Sequence, residues 1–196
     1  MTGISFNKKS FLRTLFLFLF LTTAWSIVSI TTDEFTDKDK GLITGSGFLI
    51  LLSASIFWGQ KLKRLDVFVW ITTLTISTFV ISSFILAPLV GFTTDSMVIY
   101  AVVNSLFVSI IMTIWLNRFI QIEFKSLTIA LTFLFLFVAY FATEKVSEKL
   151  YLNYDIHPRI TLFNIFQFSL LLPLALGMTL KKPAHNIALA QTGRDI

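Results

Sequence analysis

Ser126-Leu-Thr-Ile-Ala-Leu-Thr-Phe-Leu-Phe-Leu-Phe-Val-Ala-Tyr-Phe-Ala-Thr143 carries no charge, and Lys125 and Glu144 close it at either end. A helix rises about 1.5 Å per residue, so roughly 20 mostly apolar residues cross a hydrocarbon core about 30 Å thick. Lipid offers the backbone no hydrogen-bond partner, which makes a helix the default for such a run. A membrane barrel would need short segments of strict apolar–polar alternation. Phe133-Leu134-Phe135-Leu136-Phe137 is apolar without a break.

Five more charge-free runs lie outward from this one, at 14–32, 41–60, 67–94, 96–117 and 160–180. The third is too long for one crossing, and Pro88 through Asp95 reads as the turn that ends it. The expected spans are therefore 14–32, 41–60, 67–90, 96–117, 126–143 and 160–180. The fold class that follows is an all-α integral membrane protein, a bundle of six transmembrane helices forming one polytopic domain over 1–196. Composition agrees: 55% of residues are hydrophobic and 14% charged, whereas soluble domains carry about 25% charge. Glu144 to Leu150 is expected to carry the fifth helix beyond the membrane. The first run, with Lys8, Lys9 and Arg13 before the apolar core Leu15 to Leu21, resembles a signal peptide. Thr22-Thr23-Ala24-Trp25 is a poor cleavage site, so an uncleaved first span is expected.

Charge gives the orientation. Basic residues in short loops accumulate on the cytoplasmic side. The N-tail, second loop, fourth loop and C-tail hold 11 of them, including Lys8, Lys61, Arg118 and Lys181. The other side holds 5: Lys38, Lys40, Lys145, Lys149 and Arg159. Both termini are thus expected in the cytoplasm, with the chain in the cell inner membrane. Trp58, Trp70 and Trp115 then fall at cytoplasmic span ends, and Tyr100, Tyr140, Tyr151 and Tyr154 near the far ends, as interfacial anchors.

The same residues exclude several chemistries. The chain has no cysteine, hence no disulfide framework, thiolate metal site or cysteine nucleophile. No ionisable residue lies inside any run, which argues against a proton relay built on a buried carboxylate and against a voltage sensor. His157 and His185 fall on opposite sides of the expected membrane and cannot pair on a metal. Gly45-Ser46-Gly47 lacks the neighbouring base a nucleophilic serine needs. With Gly41 and Gly45 four apart, the stretch reads as small-residue helix packing. No cofactor, enzymatic activity or nucleic-acid partner is expected. Pro173 and Pro88 each remove a backbone donor and invite kinks.

Carboxamides are the informative polar groups. Asn104 stands about eight residues into the fourth run, and Asn164 and Gln167 about four and seven residues into the sixth, at similar depths by the helical rise. Ser82, Ser83, Ser26 and Ser46 come from three other runs at comparable levels. Thr72, Thr75, Thr78 and Ser82 form a loose hydroxyl stripe along the third. These groups either bind helices together or line a polar vestibule. The leading functional expectation is a non-enzymatic membrane subunit (channel, sensor or anchor) that oligomerises with its own copies in the lipid bilayer and acts with a cytoplasmic protein partner. Base-rate analogy alone extends this to the membrane component of a bacterial phage-defence or immunity system. The competing expectation is a transporter or capture subunit for a small neutral or aromatic solute.

Overall fold

The computed structural model describes residues 4–31, 37–86, 88–89, 97–154 and 158–181. Its helices are α1 (Lys8–Thr31), α2 (Asp37–Gly59), α3 (Leu65–Ile81), α4 (Met97–Phe119), α5 (Lys125–Tyr154) and α6 (Pro158–Thr179). A two-residue strand at each end, β1 (Ser5–Phe6) and β2 (Leu180–Lys181), pairs antiparallel with the other. The all-helical class agrees with the sequence. Four helices are long and apolar enough to cross a membrane, over Lys8–Val28, Leu65–Leu86, Val98–Phe119 and Lys125–Thr143. Two further apolar stretches, Ser46–Gly59 and Asn164–Thr179, are shorter within the described residues. This is compatible with a multi-pass membrane protein.

Consecutive helices pack against each other, α1 closes the ring on α6, and α2 reaches α6 across it. The helices run alternately up and down, so both chain ends meet at one end of the bundle, here the terminal end. The opposite end is distal. The outside is apolar, with Phe16, Phe20, Trp70, Phe84 and Val138 all more than half exposed. Hydroxyls go inward instead: Ser53, Ser55, Thr113 and Thr132 are fully buried. That inversion suits a bundle whose surroundings are hydrocarbon, where an apolar exterior has no reason to hide.

Buried hydroxyls need partners, and for many of them the helix backbone supplies one. Thr75 donates to the Ile71 carbonyl at 2.8 Å, Ser53 to Leu49 at 3.0 Å and Thr132 to Thr128 at 2.7 Å, each one turn back. Ser53 also reaches Thr75 at 3.2 Å, tying α2 to α3.

The terminal end is locked by polar contacts. The Asn7 side chain accepts from the Ser10 amide at 3.1 Å, the geometry of a helix N-cap, while the Asn7 backbone N–H donates to the Thr179 carbonyl at 3.1 Å. Helix α2 stops because Lys61 takes a left-handed φ of 54°. The Leu62 and Lys61 amides then bond back to Phe57 and Trp58, a Schellman closure. Arg13 donates from its guanidinium to the Gly59 carbonyl, with Nε at 2.8 Å, placing a cation on the C-terminal end of the α2 dipole. Beneath these contacts lies an apolar core that includes Phe18, Leu52, Ile56, Ile71, Leu116 and Leu174.

Three glycines mark close helix approaches. A Cβ on Gly59 would lie 2.7 Å from the Thr14 Cα, one on Gly177 2.6 Å from the Thr128 Cγ2, and one on Gly47 inside the Trp25 indole. Gly41 and Gly45, the glycines expected to make such contacts, stand in the first turns of α2, where the surroundings lie outside the described residues. Trp25 is therefore a packing residue against α2. The third span does not continue as an α-helix to its end: Ser82–Leu86 forms a π-helical turn. It falls where Pro88 has no amide to offer Phe84 and its ring crowds that carbonyl, so the turn widens. Helix α5 continues through Tyr154, past the end of its charge-free run, as the Glu144–Leu150 reading expected.

Candidate functional site: a cavity between five helices

A cavity of about 260 Å³ lies inside the ring, walled by residues of α2 through α6. Its α4 wall runs from Tyr100 through Asn104, Ser105 and Val108 to Met112, about 18 Å of helix at 1.5 Å per residue. Helix α3 contributes Thr75, Thr78 and Phe79, and α5 contributes Leu136 and Tyr140. Phe166, Gln167 and Leu170 of α6 and Leu49 of α2 complete it. Every one of these side chains is uncharged.

The two carboxamides on the wall behave differently. Asn104 is fully engaged. Its Oδ1 accepts from the Ser82 hydroxyl and its Nδ2 donates to the Tyr140 hydroxyl, so it joins α3, α4 and α5. Ser82 is not itself a lining residue; its position at the start of the π turn brings it onto Asn104. Gln167, only 4% exposed, has no partner at Nε2 or at Oε1. Ser105 Oγ and Thr78 Oγ1, also on the wall, are likewise unpartnered. Of the five such atoms among the described residues, four line this cavity; Thr113 Oγ1 is the exception. Leaving a buried amide or hydroxyl unbonded costs about 1–3 kcal/mol. Their concentration on one void is the mark of a place where something else supplies the bonds.

Aromatic rings on the wall fix its shape as well. Tyr140 meets Tyr100 edge-on at 5.6 Å between centroids and Phe166 edge-on at 4.5 Å. Such pairs favour this T-shaped arrangement because a ring's positive edge meets another's negative face. The Asn104 amide then sets the Tyr140 hydroxyl.

Of the sequence candidates, Asn104 and Gln167 come together on the cavity wall. Asn164 is used elsewhere, donating to Ser26 Oγ at 2.9 Å and tying α6 to α1. The hydroxyl stripe divides: Thr72 and Thr75 bond their own helix, Thr78 faces the cavity and Ser82 meets Asn104. Tyr100 and Tyr140, read from the sequence as interfacial anchors, turn inward. Sequence reasoning missed them together with Ser105 and Phe166. Helical spacing held a signal, since Tyr100, Asn104 and Ser105 stand at i, i+4 and i+5 on one face of α4. Trp58 and Trp70 do point outward, 54% and 58% exposed. The Arg118 guanidinium lies 4.8 Å above the Trp115 ring, a cation–π contact at a span end. His157 and His185 lie outside the described residues, and among those residues no group of acidic or histidine side chains gathers for a metal.

No family model matches the chain, and no curated protein or solved structure shows significant similarity to it. What the fold defines is a class: an all-helical protein with, among the described residues, four helices long and apolar enough to cross a membrane.

Proposed function

We propose that this chain is a non-enzymatic multi-pass membrane protein that takes a small uncharged solute into the cavity between its helices, as a carrier or capture subunit. It crosses the membrane six times with both termini on the cytoplasmic face, and the cavity opens toward the far side. One observation supports this above all: the unpartnered Gln167 carboxamide, with Ser105 and Thr78, faces a void of about 260 Å³. Groups that only glue helices together would be bonded to each other, as Asn104 is. The uncharged lining favours a neutral solute, because a charge held there without a partner costs several kcal/mol.

A chain without cysteine permits a direct test by single-cysteine labelling in sealed vesicles of known orientation. Gln167→Cys and Ser105→Cys are expected to react with a small water-soluble thiol reagent applied from the far side, as is Ser147→Cys in the distal part of α5. Val138→Cys, 55% exposed on the outside of α5, is expected to stay unlabelled in lipid. Protection of both cavity cysteines from either side, with Ser147→Cys still labelled, would remove the solute reading.

A further inference from the structure

Resting on the reading of the cavity as a solute site, we infer that its ligand is an uncharged, single-ring aromatic molecule bearing a carboxamide or equivalent donor–acceptor edge. The polar wall carries the first half of this. A primary carboxamide presents an acceptor and two donors side by side. In Gln167 both ends of that edge are buried and unused. Two amide edges pair through two parallel hydrogen bonds, so the group that engages both ends of Gln167 at once is another amide, a lactam or a ring nitrogen flanked by N–H. A lone hydroxyl or carbonyl satisfies one end only. Ser105 and Thr78, from α4 and α3, hold two further free hydroxyls for the ligand's remaining lone pair and N–H.

The rings carry the second half. Tyr100, Tyr140 and Phe166 are locked edge to face at 5.6 Å and 4.5 Å, and Phe79 joins them on the wall. An aromatic ring in the cavity lies against these lining rings and gains further edge-to-face contacts. Size agrees as well. A cavity of about 150 Å³ accommodates benzene, so about 260 Å³ holds one ring with an amide substituent. Charge completes the class: a carboxylate or ammonium on that ring would find no counter-ion on the wall.

The test uses the full-length protein in lipid nanodiscs and four probes: benzamide, toluene, benzoate and benzylamine. Saturable benzamide binding is expected by calorimetry, at least tenfold tighter than toluene, with no binding of benzoate or benzylamine. Gln167→Leu is expected to weaken benzamide at least tenfold and to leave toluene unchanged or tighter, which also shows that the variant is folded. Ser105→Ala is expected to weaken benzamide severalfold, and Val138→Ala on the outer face not at all. Equal affinity for benzamide and toluene, or no response to Gln167→Leu, would overturn the amide assignment. So would tighter binding of either charged probe. If no probe binds while Gln167→Cys is still labelled from the aqueous phase, the ligand class is wrong and the solute reading stands; if that cysteine is also protected, both fall.

Discussion

The two ends of the bundle solve the packing problem in opposite ways. At the terminal end the helices touch through glycine, the core is aliphatic and aromatic, and polar groups are paired: Arg13 on Gly59, Ser10 on Gln60 at 3.0 Å, Lys181 on the Gln121 carbonyl at 2.8 Å. Toward the distal end α2 through α6 line a void, and four of the five buried polar atoms without partners among the described residues lie on it. Hydrocarbon gives no solvent-driven force to hold helices together, so close contact and interhelical bonds must do it. A bundle that opens at one end therefore needs a tight clasp at the other. The β1–β2 pair and the Asn7 bonds supply that clasp by fastening the first helix to the last.

The largest effect is expected where the clasp is tightest. Gly59→Ala would place a methyl group 2.7 Å from the Thr14 Cα. Because the obstacle is backbone, α1 and α2 must move apart, taking the Arg13 cap with them. Overpacking of this kind costs about 1–3 kcal/mol, and here the upper part of that range is expected, read as a lowered unfolding midpoint in detergent. An unchanged midpoint would mean the terminal end is not the tight half.

Gly177→Ala comes next. Its methyl would meet the Thr128 side chain, with Cγ2 at 2.6 Å and Cβ at 2.9 Å. Here the obstacle is a side chain, so a partner change relieves it. Gly177→Ala alone is expected to cost about 1–2 kcal/mol, and Thr128→Ala in the same chain to recover part of that loss. Additive losses in the double variant would show that the two residues do not meet.

The terminal half and the helix count owe much to features a sequence displays. Charge-free runs give the helices, and the ends of α1 and α4 and the start of α5 follow the charged residues that flank them. The hollow half is harder to read, because periodicity reports which face of a helix is polar but not whether two polar faces meet. Asn104 and Gln167 carry the same functional group at similar depth, and nothing local distinguishes the one that is bonded from the one that is free. That distinction depends on Ser82, which reaches Asn104 from the start of the π turn. Tyr100 and Tyr140 were hidden by a real regularity: tyrosine near a span end is commonly an anchor. The close approaches that the structure describes are at Gly47, Gly59 and Gly177, while the surroundings of Gly41 and Gly45 lie outside the described residues.

Asn104→Leu probes where the two halves join. It removes the bonds to Ser82 and Tyr140 at once. With interhelical hydrogen bonds averaging about 0.6 kcal/mol each, a loss of about 1 kcal/mol is expected. Tyr140→Phe should couple to it in a double-mutant cycle, since Asn104 donates to that hydroxyl. Gln167→Leu should not, because no hydrogen bond joins it to Asn104. Coupling between the two carboxamides instead would mean they bond each other and that the distal half is glued like the terminal one.

The smallest effect on stability, and the one of opposite sign, is expected at Gln167. A hydrogen-bonded side chain loses stability when replaced by leucine, whereas an unbonded buried amide gives up only a penalty. Gln167→Leu in empty protein should therefore leave the unfolding midpoint unchanged or raise it. The comparison sharpens when benzamide is added. A ligand that binds only the folded state stabilises it by about 2.7 kcal/mol at a hundredfold excess over its dissociation constant. The unsubstituted chain should gain that increment, and Gln167→Leu only the smaller one set by its weaker binding. Loss of stability in the empty variant, comparable to that of Asn104→Leu, would show that Gln167 has a partner within the bundle and that the hollow end is packed after all.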